Sequence, residues 1–346
     1  MAKAPWWRQD VFASRAANLQ MRGAMLRATR QFFESQGFAE VETPALQASP
    51  GLEPHLKAFA TSLEEPGAGK RRIFLHTSPE FAMKKLLAAG VPLLFQLAHA
   101  FRNAERSDTH HPEFMLLEWY RAGATYRDLM KDCEALLRHT LKAAGRTSFT
   151  YKGKSADPAQ AWQRLSVAEA FERFAGIDLL ATAPNPLKPA LKLLAKAAKP
   201  LGISPHRGDS WEDLFFRIFL ERIEPNLGSP APTLLYDYPL SMAALARAKP
   251  GDPRLAERVE LYVCGLELAN GFSELTDARE QRARFARDRS AKRRIYGLAY
   301  PVDEDFLAAL EAGLPESAGM ALGFDRLVML ASGASRIDEV LWAPVG

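Results

Sequence analysis

Residues 113–121 (EFMLLEWYR) place a carboxylate inside an apolar run. In a β-strand, this run would direct Phe114, Leu116, Glu118 and Tyr120 to one face and an apolar set to the other. A buried carboxylate costs free energy unless a cation lies beside it. Glu118 therefore predicts either a ligand ammonium, which Tyr120 would help to hold, or an internal salt bridge to an arginine or lysine.

A polar loop, 104–112 (AERSDTHHP), lies between Arg102 and this strand. Its ionisable side chains include Glu105, Arg106, His110 and His111. Guanidinium groups bind phosphate or carboxylate oxygens in pairs, and imidazole can donate to phosphate. The loop predicts a site for a phosphate or carboxylate, with a solvated loop as the alternative. Zinc is disfavoured, because adjacent histidines seldom both bind a metal and no cysteine is near.

A second carboxylate pattern occurs in 258–275 (RVELYVCGLELANGFSEL). Its glycines and its aromatic and β-branched residues favour a β-hairpin, with Cys264-Gly265 as the turn. Tyr262 would then lie opposite Glu267, and Glu260 would be a diagonal neighbour of Glu267 on the same face. Two such carboxylates repel each other unless a cation lies between them. Mg²⁺ that also binds nucleotide phosphates is the predicted cation, and exposed surface carboxylates are the alternative.

Near the C-terminus, 316–332 (ESAGMALGFDRLVMLAS) is predicted to be a small-residue strand that turns into a helix at Gly323. The helix would begin near Phe324, so that Arg326 falls in its first turn. Free backbone N–H groups at a helix start attract anions, and an arginine there strengthens a phosphate site. The small residues would let a flat ligand lie against the backbone.

The composition is that of a globular protein. The chain has 346 residues, 47% of them hydrophobic and 25% charged, and a formal net charge of +4. The two cysteines, Cys133 and Cys264, predict a reducing compartment rather than a disulfide framework. No apolar stretch approaches the roughly 20 residues of a membrane helix. We therefore expect a cytoplasmic protein with no membrane association.

Several elements are expected to position these residues. Helices are predicted at 19–36, from 126–144 onward and at 187–202. In the last of these, the lysines 188, 192, 196 and 199 are expected on a solvated face. Strands are predicted at 38–44, 72–78, 92–102 and 113–121, and a loop is predicted at 62–71. Strands that follow one another as meanders favour a mostly antiparallel sheet in an α+β fold.

Four segments together resemble the class II aminoacyl-tRNA synthetases. RGAMLRATRQFFESQGFAEVETPAL is similar to motif 1, AFRNAERSDTHHPEFMLLEWYR to motif 2 and GMALGFDRLVML to motif 3, while GLELANGFSELTDAREQRARF is similar to the lysyl-specific signature. The resemblance implies the class II catalytic fold, a mostly antiparallel sheet flanked by helices. Motif 1 begins about twenty residues into the chain. We therefore expect one catalytic domain over 1–346, with a helical and polar insertion around 140–210 and no OB-fold anticodon-binding domain.

Within this class, the chain is most similar to free-standing domains that attach β-lysine to a lysine of elongation factor P. The phrase HTSPEFAMKKLLAAG at 76–90 carries this resemblance. It implies ATP and Mg²⁺, a β-lysyl adenylate, elongation factor P as acceptor, a homodimer built on motif 1, and no stable tRNA binding. A minimal lysyl-tRNA synthetase or another ligase of the class is the first alternative. A non-catalytic paralogue is the second, disfavoured because both phosphate arginines are retained.

The resemblance also implies roles for individual residues. Arg102 and Arg326 would be catalytic, the former at the α-phosphate and the substrate carboxylate and the latter at the γ-phosphate. Phe114 would stack on adenine, and His110 would reach toward the γ-phosphate. The implied nucleotide-binding set is completed by Asn103, Ala104, His111, Glu267, Leu268 and Gly323. Substrate binding is implied for Ser78, Glu80, Glu118, Tyr120, Asn270 and Glu274, and metal binding for Glu260 and Glu267. Glu80 would take the amino group near the carboxylate, and Glu118, Tyr120, Asn270 and Glu274 the side-chain ammonium.

Three positions depart from the family pattern. Ala104 stands where motif 2 has a glutamate, and Glu105 is expected to replace it through a shift of the loop. His111 stands where an asparagine is usual. Ala321 stands where lysyl-tRNA synthetases have glycine, and its methyl group is expected to favour β-lysine over α-lysine.

Overall fold

The computed structural model describes residues 5–346, and its centre is a nine-stranded sheet. The strands of the chain are β1 (Ala39–Glu40), β2 (Leu46–Gln47), β3 (Ala60–Glu65), β4 (Gly69–Leu75), β5 (Leu93–Phe101), β6 (Glu113–Ala122), β7 (Phe149–Tyr151), β8 (Lys154–Ala156), β9 (Gln163–Ser166), β10 (Thr233–Pro239), β11 (Ala248–Lys249), β12 (Asp252–Val263), β13 (Leu266–Ser273) and β14 (Ser317–Gly323). Along the central sheet the order is β1-β5-β6-β14-β13-β12-β10-β9, with β11 paired to β12. Every pairing is antiparallel except β1 with β5 and β10 with β9. The predicted mostly antiparallel α+β architecture is thus confirmed.

The α-helices lie on both faces of this sheet. They are α1 (Gln9–Ala13), α2 (Ala16–Glu34), α3 (Glu80–Ala88), α4 (Tyr126–Ala143), α5 (Val167–Ala175), α6 (Leu191–Ala198), α7 (Trp211–Ile218), α8 (Ala278–Tyr296), α9 (Glu304–Gly313) and α10 (Phe324–Ser332). Helices α2, α4 and α10 cover one face, where they share a core with Leu117 and Trp119 of β6. Tyr120 of β6 points to the opposite face and joins a second core with residues of α3 and α9. The period-two alternation predicted for β6 is confirmed.

Register across four strands aligns several of the predicted site residues. Glu118 of β6 pairs with Ala321 of β14. Ala321 pairs in turn with Asn270 of β13, and Asn270 pairs with Glu260 of β12. This cross-strand row therefore brings together residues that are far apart in sequence.

Two hairpins can be compared with the predictions for 258–275 and 62–71. The predicted turn at Cys264-Gly265 is confirmed, and Tyr262 pairs with Glu267 as expected. A bulge between Leu261 and Tyr262 shifts the pairing of β12 with β13 by one residue in the part of the hairpin farther from the turn. The predicted loop at 62–71 is wrong, because β3 and β4 form a hairpin there. Its Pro-Gly sequence marks only the turn, and the strands are polar since they are mostly exposed.

Other predicted elements are present with different bounds. The strand predicted at 38–44 is reduced to β1, while the helix predicted at 187–202 consists of α6 and a short 3₁₀ turn. The four lysines of that segment are exposed, as expected. Residues 163–239 add strands β9 and β10 to the sheet, and their helices α5, α6 and α7 bury a core against Tyr262 and Leu235. Within the described residues, no helix is long and apolar enough to cross a membrane.

Candidate active site

A cavity of about 510 Å³ lies over the central strands β6, β13 and β14. It opens between these strands, the loop that follows β5 and the first turn of α10. The predicted site residues that line it are Ser78, Glu80, Arg102, His110, His111, Phe114, Glu118, Tyr120, Glu267, Leu268, Asn270, Gly323 and Arg326. Four other predicted residues, Asn103, Ala104, Glu260 and Glu274, do not line it.

Two guanidinium groups face this cavity from different elements. Arg326 is in the first turn of α10, and its side chain donates to the backbone carbonyls of Glu267 (2.8 Å) and Thr109 (3.2 Å). Arg102 follows β5 and lies 5.0 Å above the ring of Phe114. Burial and the positive charge of Arg102 lower the pKa of Arg326, while Glu267 acts in the opposite direction. Two cations held this close favour an anionic ligand between them.

His110 orients Arg326 as a neutral imidazole. Burial and the charges of Arg326 and Arg102 lower the pKa of His110 to about 4. Its Nε2 accepts from the Arg326 Nη2 at 2.7 Å, which assigns the proton to Nδ1, where the hydroxyl of Ser107 lies 2.8 Å away. The ring thus holds the guanidinium toward the cavity.

Three residues that are predicted to bind the nucleotide, all from motif 2, have partners within the chain. His111 is buried, with Nδ1 2.5 Å from the Glu113 carbonyl and Nε2 accepting from the backbone N–H of Val345, so neither ring nitrogen is left for a nucleotide. Asn103 and Ala104 are exposed and lie outside the cavity wall. The side chain of Asn103 accepts from the N–H of Ala104 instead.

Glu105, the expected substitute for the missing glutamate, lines the cavity near Arg102. Ala104 has a φ of 66°, and the next residue, Glu105, lines the cavity 4.0 Å from the Arg102 guanidinium. A positive φ is unusual for alanine and redirects the chain locally. This geometry is compatible with the expected replacement, which stays a prediction. Arg106 points elsewhere: it is exposed and donates to the carbonyl of Val345.

Glu260, the predicted companion of Glu267, has partners within the chain. Glu260 accepts from the guanidinium of Arg258 (2.6 Å) and from the hydroxyls of Tyr238 (2.5 Å) and Tyr262 (2.7 Å), and it lies behind the cavity wall. A cation of the chain itself, Arg258, thus lies beside Glu260. Metal binding by Glu260 together with Glu267 stays a prediction, and it would require Glu260 to exchange this partner or to share it.

Glu267 retains the properties of a cation ligand. It lines the cavity, and burial together with the charge of Glu260 raises its pKa to about 7. Carboxylate oxygen suits Mg²⁺, which binds one or two carboxylates and takes its other ligands from phosphate and water. Within residues 5–346 no group of three or more His, Cys, Asp and Glu could hold a metal. A magnesium ion at Glu267 would therefore complete its coordination with nucleotide oxygens and water.

Glu118 is the centre of the predicted ammonium pocket. Its carboxylate is 1% exposed and accepts from Ser78 Oγ at 2.5 Å and from Tyr120 OH at 2.8 Å. Both donors are hydroxyl groups, so the part of the chain described here gives Glu118 hydrogen bonds but no contacting cation. Burial, reinforced by the nearby charge of Glu80, raises the pKa of Glu118 to about 8. Of the two alternatives, this geometry favours a ligand ammonium over an internal salt bridge.

Glu274 is buried beside this pocket and has a partner that sequence analysis missed. The ammonium of Lys84, in α3, lies 2.5 Å from Glu274 Oε2 and 2.5 Å from Glu80 Oε1. A cation of the chain itself thus lies beside Glu274, and its contact with a substrate ammonium stays a prediction. The spacing of Glu80 and Lys84, four residues apart on one helix, indicates the pair within that helix but not the contact with Glu274.

Backbone positions shape the pocket floor. A Cβ atom on Gly319 would lie 2.2 Å from a ring carbon of Tyr120 and 2.6 Å from Glu274 Oε1, so only glycine fits. Ala321 lines the cavity between Glu118 and Asn270 in the cross-strand row. The arrangement can bind a phosphorylated ligand near the arginines and an ammonium near Glu118.

Comparisons with known proteins extend over almost the whole chain. The family model of tRNA synthetases class II (D, K and N) matches residues 8–345. The elongation factor P–(R)-β-lysine ligase of Vibrio cholerae is 42% identical over 332 residues, which are 95% of each chain. The proteins with the same name from Proteus mirabilis and Klebsiella pneumoniae strain 342 are 40% identical over 333 residues (95% of each chain) and 42% identical over 329 residues (94% of each chain).

Proposed function

This chain belongs to the class II tRNA synthetases of the D, K and N family, and we propose that it is an ATP-dependent ligase that activates (R)-β-lysine and transfers the β-lysyl group to a lysine of elongation factor P. One observation carries the proposal: Arg102 and Arg326 line the same cavity as Glu118 and Tyr120. Triphosphate chemistry and ammonium recognition can therefore occur in one site. The names of the similar proteins specify the donor and the acceptor.

The first step is formation of an adenylate. A carboxylate oxygen of β-lysine attacks the α-phosphorus of ATP, a new P–O bond forms, the bond to the bridging oxygen of the β-phosphate breaks, and pyrophosphate leaves. Arg102 stabilises the charge that develops on the α-phosphate, and Arg326, held by His110, binds the γ-phosphate. The chain contributes mainly positioning and electrostatic stabilisation. When bound at Glu267, a magnesium ion supplies further positive charge to the phosphate oxygens.

The second step transfers the acyl group. The neutral ε-amino group of the acceptor lysine attacks the carbonyl carbon of the mixed anhydride, an amide bond forms, AMP leaves with the C–O bond electrons, and the amine gives up a proton. Glu118 and Tyr120 hold the donor by its side-chain ammonium throughout. Asn270, in the same cross-strand row, completes this part of the pocket.

The assembly around this reaction is also proposed. We expect a homodimer in which the motif 1 helix α2 contributes to the two-fold interface, as the family resemblance implies. Because elongation factors act where proteins are synthesised, we propose a cytoplasmic location. We propose no stable tRNA complex, since the similar proteins are named for a protein acceptor.

Two assays test the proposal. Purified chain should exchange labelled pyrophosphate into ATP with β-lysine, and less well with α-lysine. Intact-mass analysis after incubation with ATP and β-lysine should show one added β-lysyl group on elongation factor P and none on tRNA. Charged tRNA beside unmodified elongation factor P would instead support a minimal lysyl-tRNA synthetase, and the absence of exchange with any lysine isomer would support the non-catalytic alternative.

A pair of arginine variants provides the control. Arg102→Ala should abolish exchange while the protein still unfolds cooperatively. Arg106→Ala removes an exposed guanidinium from the same loop and should leave exchange unchanged. Retained exchange in Arg102→Ala would show that the arginine is wrongly assigned.

A further inference from the structure

Lys84 is a buried cation placed between two carboxylates of the proposed pocket. Its side chain is 2% exposed, and its Nζ lies 2.5 Å from both Glu80 Oε1 and Glu274 Oε2. The same Nζ is 5.0 Å from the ring centroid of Phe272 and 5.9 Å from that of Phe306, so aromatic faces cover its other sides. A buried ammonium persists only when opposite charges surround it in this way.

The charge states of this cluster follow from the geometry. Burial alone would lower the pKa of Lys84, but the two carboxylates reverse that effect and raise it. Burial raises the pKa of Glu274, and the ammonium of Lys84 opposes that shift. Lys84 is thus protonated at neutral pH and favours the ionised form of Glu274.

The titratable groups that face this cluster come from four segments, one of which is the loop between β2 and β3, where the buried carboxyl of Glu53 interacts with Glu80. Glu80 belongs to α3 with Lys84 itself, Glu274 follows β13, and Glu118 and Tyr120 belong to β6. Glu118 is too far from Lys84 for a direct ion pair and is bound by hydroxyl groups instead. Once a bound substrate has drawn Glu80, Glu118 and Glu274 into their ionised forms, the single fixed ammonium leaves the pocket with a net charge of −2. A diamino acid whose carboxylate has been converted to an adenylate brings two ammonium groups.

We propose that Lys84 is a positioning residue for substrate selection: its buried ammonium holds the carboxylates of Glu80 and Glu274 in place and offsets the repulsion between them, so that their remaining oxygens receive the amino groups of a diamino acid. This inference rests on the proposed function of the same pocket. Without Lys84, two buried carboxylates would face each other and share a proton, as paired acidic groups do. The pocket would then lose one of the charges that bind the substrate.

The test compares Lys84→Met with Lys85→Met. Lys85 is the next residue of the same helix, and its ion pair with Asp303 lies outside the pocket. In Lys84→Met, KM for β-lysine in pyrophosphate exchange should rise by about 30-fold or more, as when one partner of a buried charge pair is truncated. KM for ATP should change little, and Lys85→Met should match the wild type in both constants.

The pH profile separates this role from a purely structural one. In Lys84→Met, the shared proton must leave before the pocket regains its charge, so the acidic limb of kcat/KM for β-lysine should move upward by about one pH unit or more. Lys84→Arg retains a cation and should keep the acidic limb near its wild-type position. A salt bridge that serves only folding would not displace this limb.

Each outcome has a distinct meaning. An unshifted acidic limb in Lys84→Met, or equal increases in both KM values, would overturn the inference and leave the proposed ligase intact. Absence of exchange in the wild type would overturn both. If Lys84→Met does not fold, Lys84→Gln, which keeps a polar side chain without the charge, decides: an acidic limb displaced upward with an unchanged KM for ATP supports the inference, and an unshifted limb contradicts it.

Discussion

At the scale of single residues, the behaviour of Glu118 depends on its neighbours more than on its own chemistry. The side chain accepts two hydrogen bonds but contacts no cation among the described residues, and burial raises its pKa to about 8. The carboxyl group is therefore largely protonated in the free protein at neutral pH. An arriving ammonium lowers that pKa, so binding of the substrate should release a proton and should tighten as the pH rises toward 8.

Glu118→Gln tests this linkage through stability. The folded carboxyl binds its proton more tightly than the unfolded one, whose pKa is about 4.3, so the wild type should lose stability as the pH rises from about 4.5 to 8. The glutamine variant should lose less over the same range. The measurement is the free energy of unfolding by denaturant at several pH values, and identical slopes for the two proteins would contradict the assignment.

The same variant should discriminate poorly between substrates. KM for β-lysine should rise by about 30-fold or more while KM for ATP stays nearly constant, because the lost charge lies in the ammonium half of the cavity. Unchanged preference for β-lysine over an analogue that lacks the side-chain amine would show that Glu118 is not the ammonium receptor.

Residue patterns predicted the components of the site but not their internal partners. Alternation in 113–121 indicated that Glu118 and Tyr120 share a face, because that property is local. Lys84 and Arg258 were missed as partners of Glu274 and Glu260. Lys84 reaches a carboxylate 190 residues away in the sequence, and nothing local distinguishes a cation that comes from the chain from one that comes with a ligand.

At the scale of elements, a buried ion pair fixes the helix that carries Arg326. The Arg22 guanidinium of α2 lies 2.5 Å from the carboxylate of Asp325 at the start of α10, and both side chains are at most 7% exposed. Asp325 also accepts from the backbone N–H of Met115 in β6 at 2.8 Å. Two helices and a strand are thereby held at one point beside the cavity.

Asp325→Asn should destabilise this junction strongly. Leaving the Arg22 charge buried without its partner should lower the free energy of unfolding by about 3–5 kcal/mol. Asp10→Asn breaks the exposed Arg8–Asp10 pair and should change it little. Chemical denaturation of the two variants gives the comparison, and similar losses in both would contradict the argument.

Element prediction was best where turn chemistry and periodicity agreed. The Cys264-Gly265 turn and the strand-to-helix change at Gly323 were recognised because both carry local signals. The part of the β3–β4 hairpin that falls within 62–71 was taken for a loop, because exposed strands lack the alternation that a buried face imposes. The bulge between Leu261 and Tyr262 depends on tertiary pairing, so no local pattern could reveal it.

At the scale of the whole molecule, the mostly antiparallel sheet and the class of fold were predictable from the order of the strands and the family motifs. The way in which residues 163–239 join the central sheet was not predictable from the sequence. Strand β9 pairs in parallel with β10 at the edge of the sheet, and some sixty residues separate them. Such long-range pairing carries no signature in either strand alone.

Assembly gives a prediction at this scale. If α2 contributes to a two-fold interface, the protein in solution should have about twice the 38.4 kDa mass of the chain. Light scattering coupled to size-exclusion chromatography measures this directly. A single-chain mass that persists over a hundredfold range of concentration would contradict the dimer.

The cross-strand row that links Glu118, Ala321, Asn270 and Glu260 has a consequence for how the site forms during folding. Side chains alternate along each strand. A slip of one residue in any of the three ladders would therefore turn the carboxylate of the slipped strands toward the opposite face, where α2, α4 and α10 would bury it among apolar side chains. A misregistered sheet would therefore be penalised by its carboxylates, among them Glu118, which a correct sheet offers to the substrate. The two carboxylates of the row, Glu118 and Glu260, thus disfavour incorrect pairing of the strands that carry them.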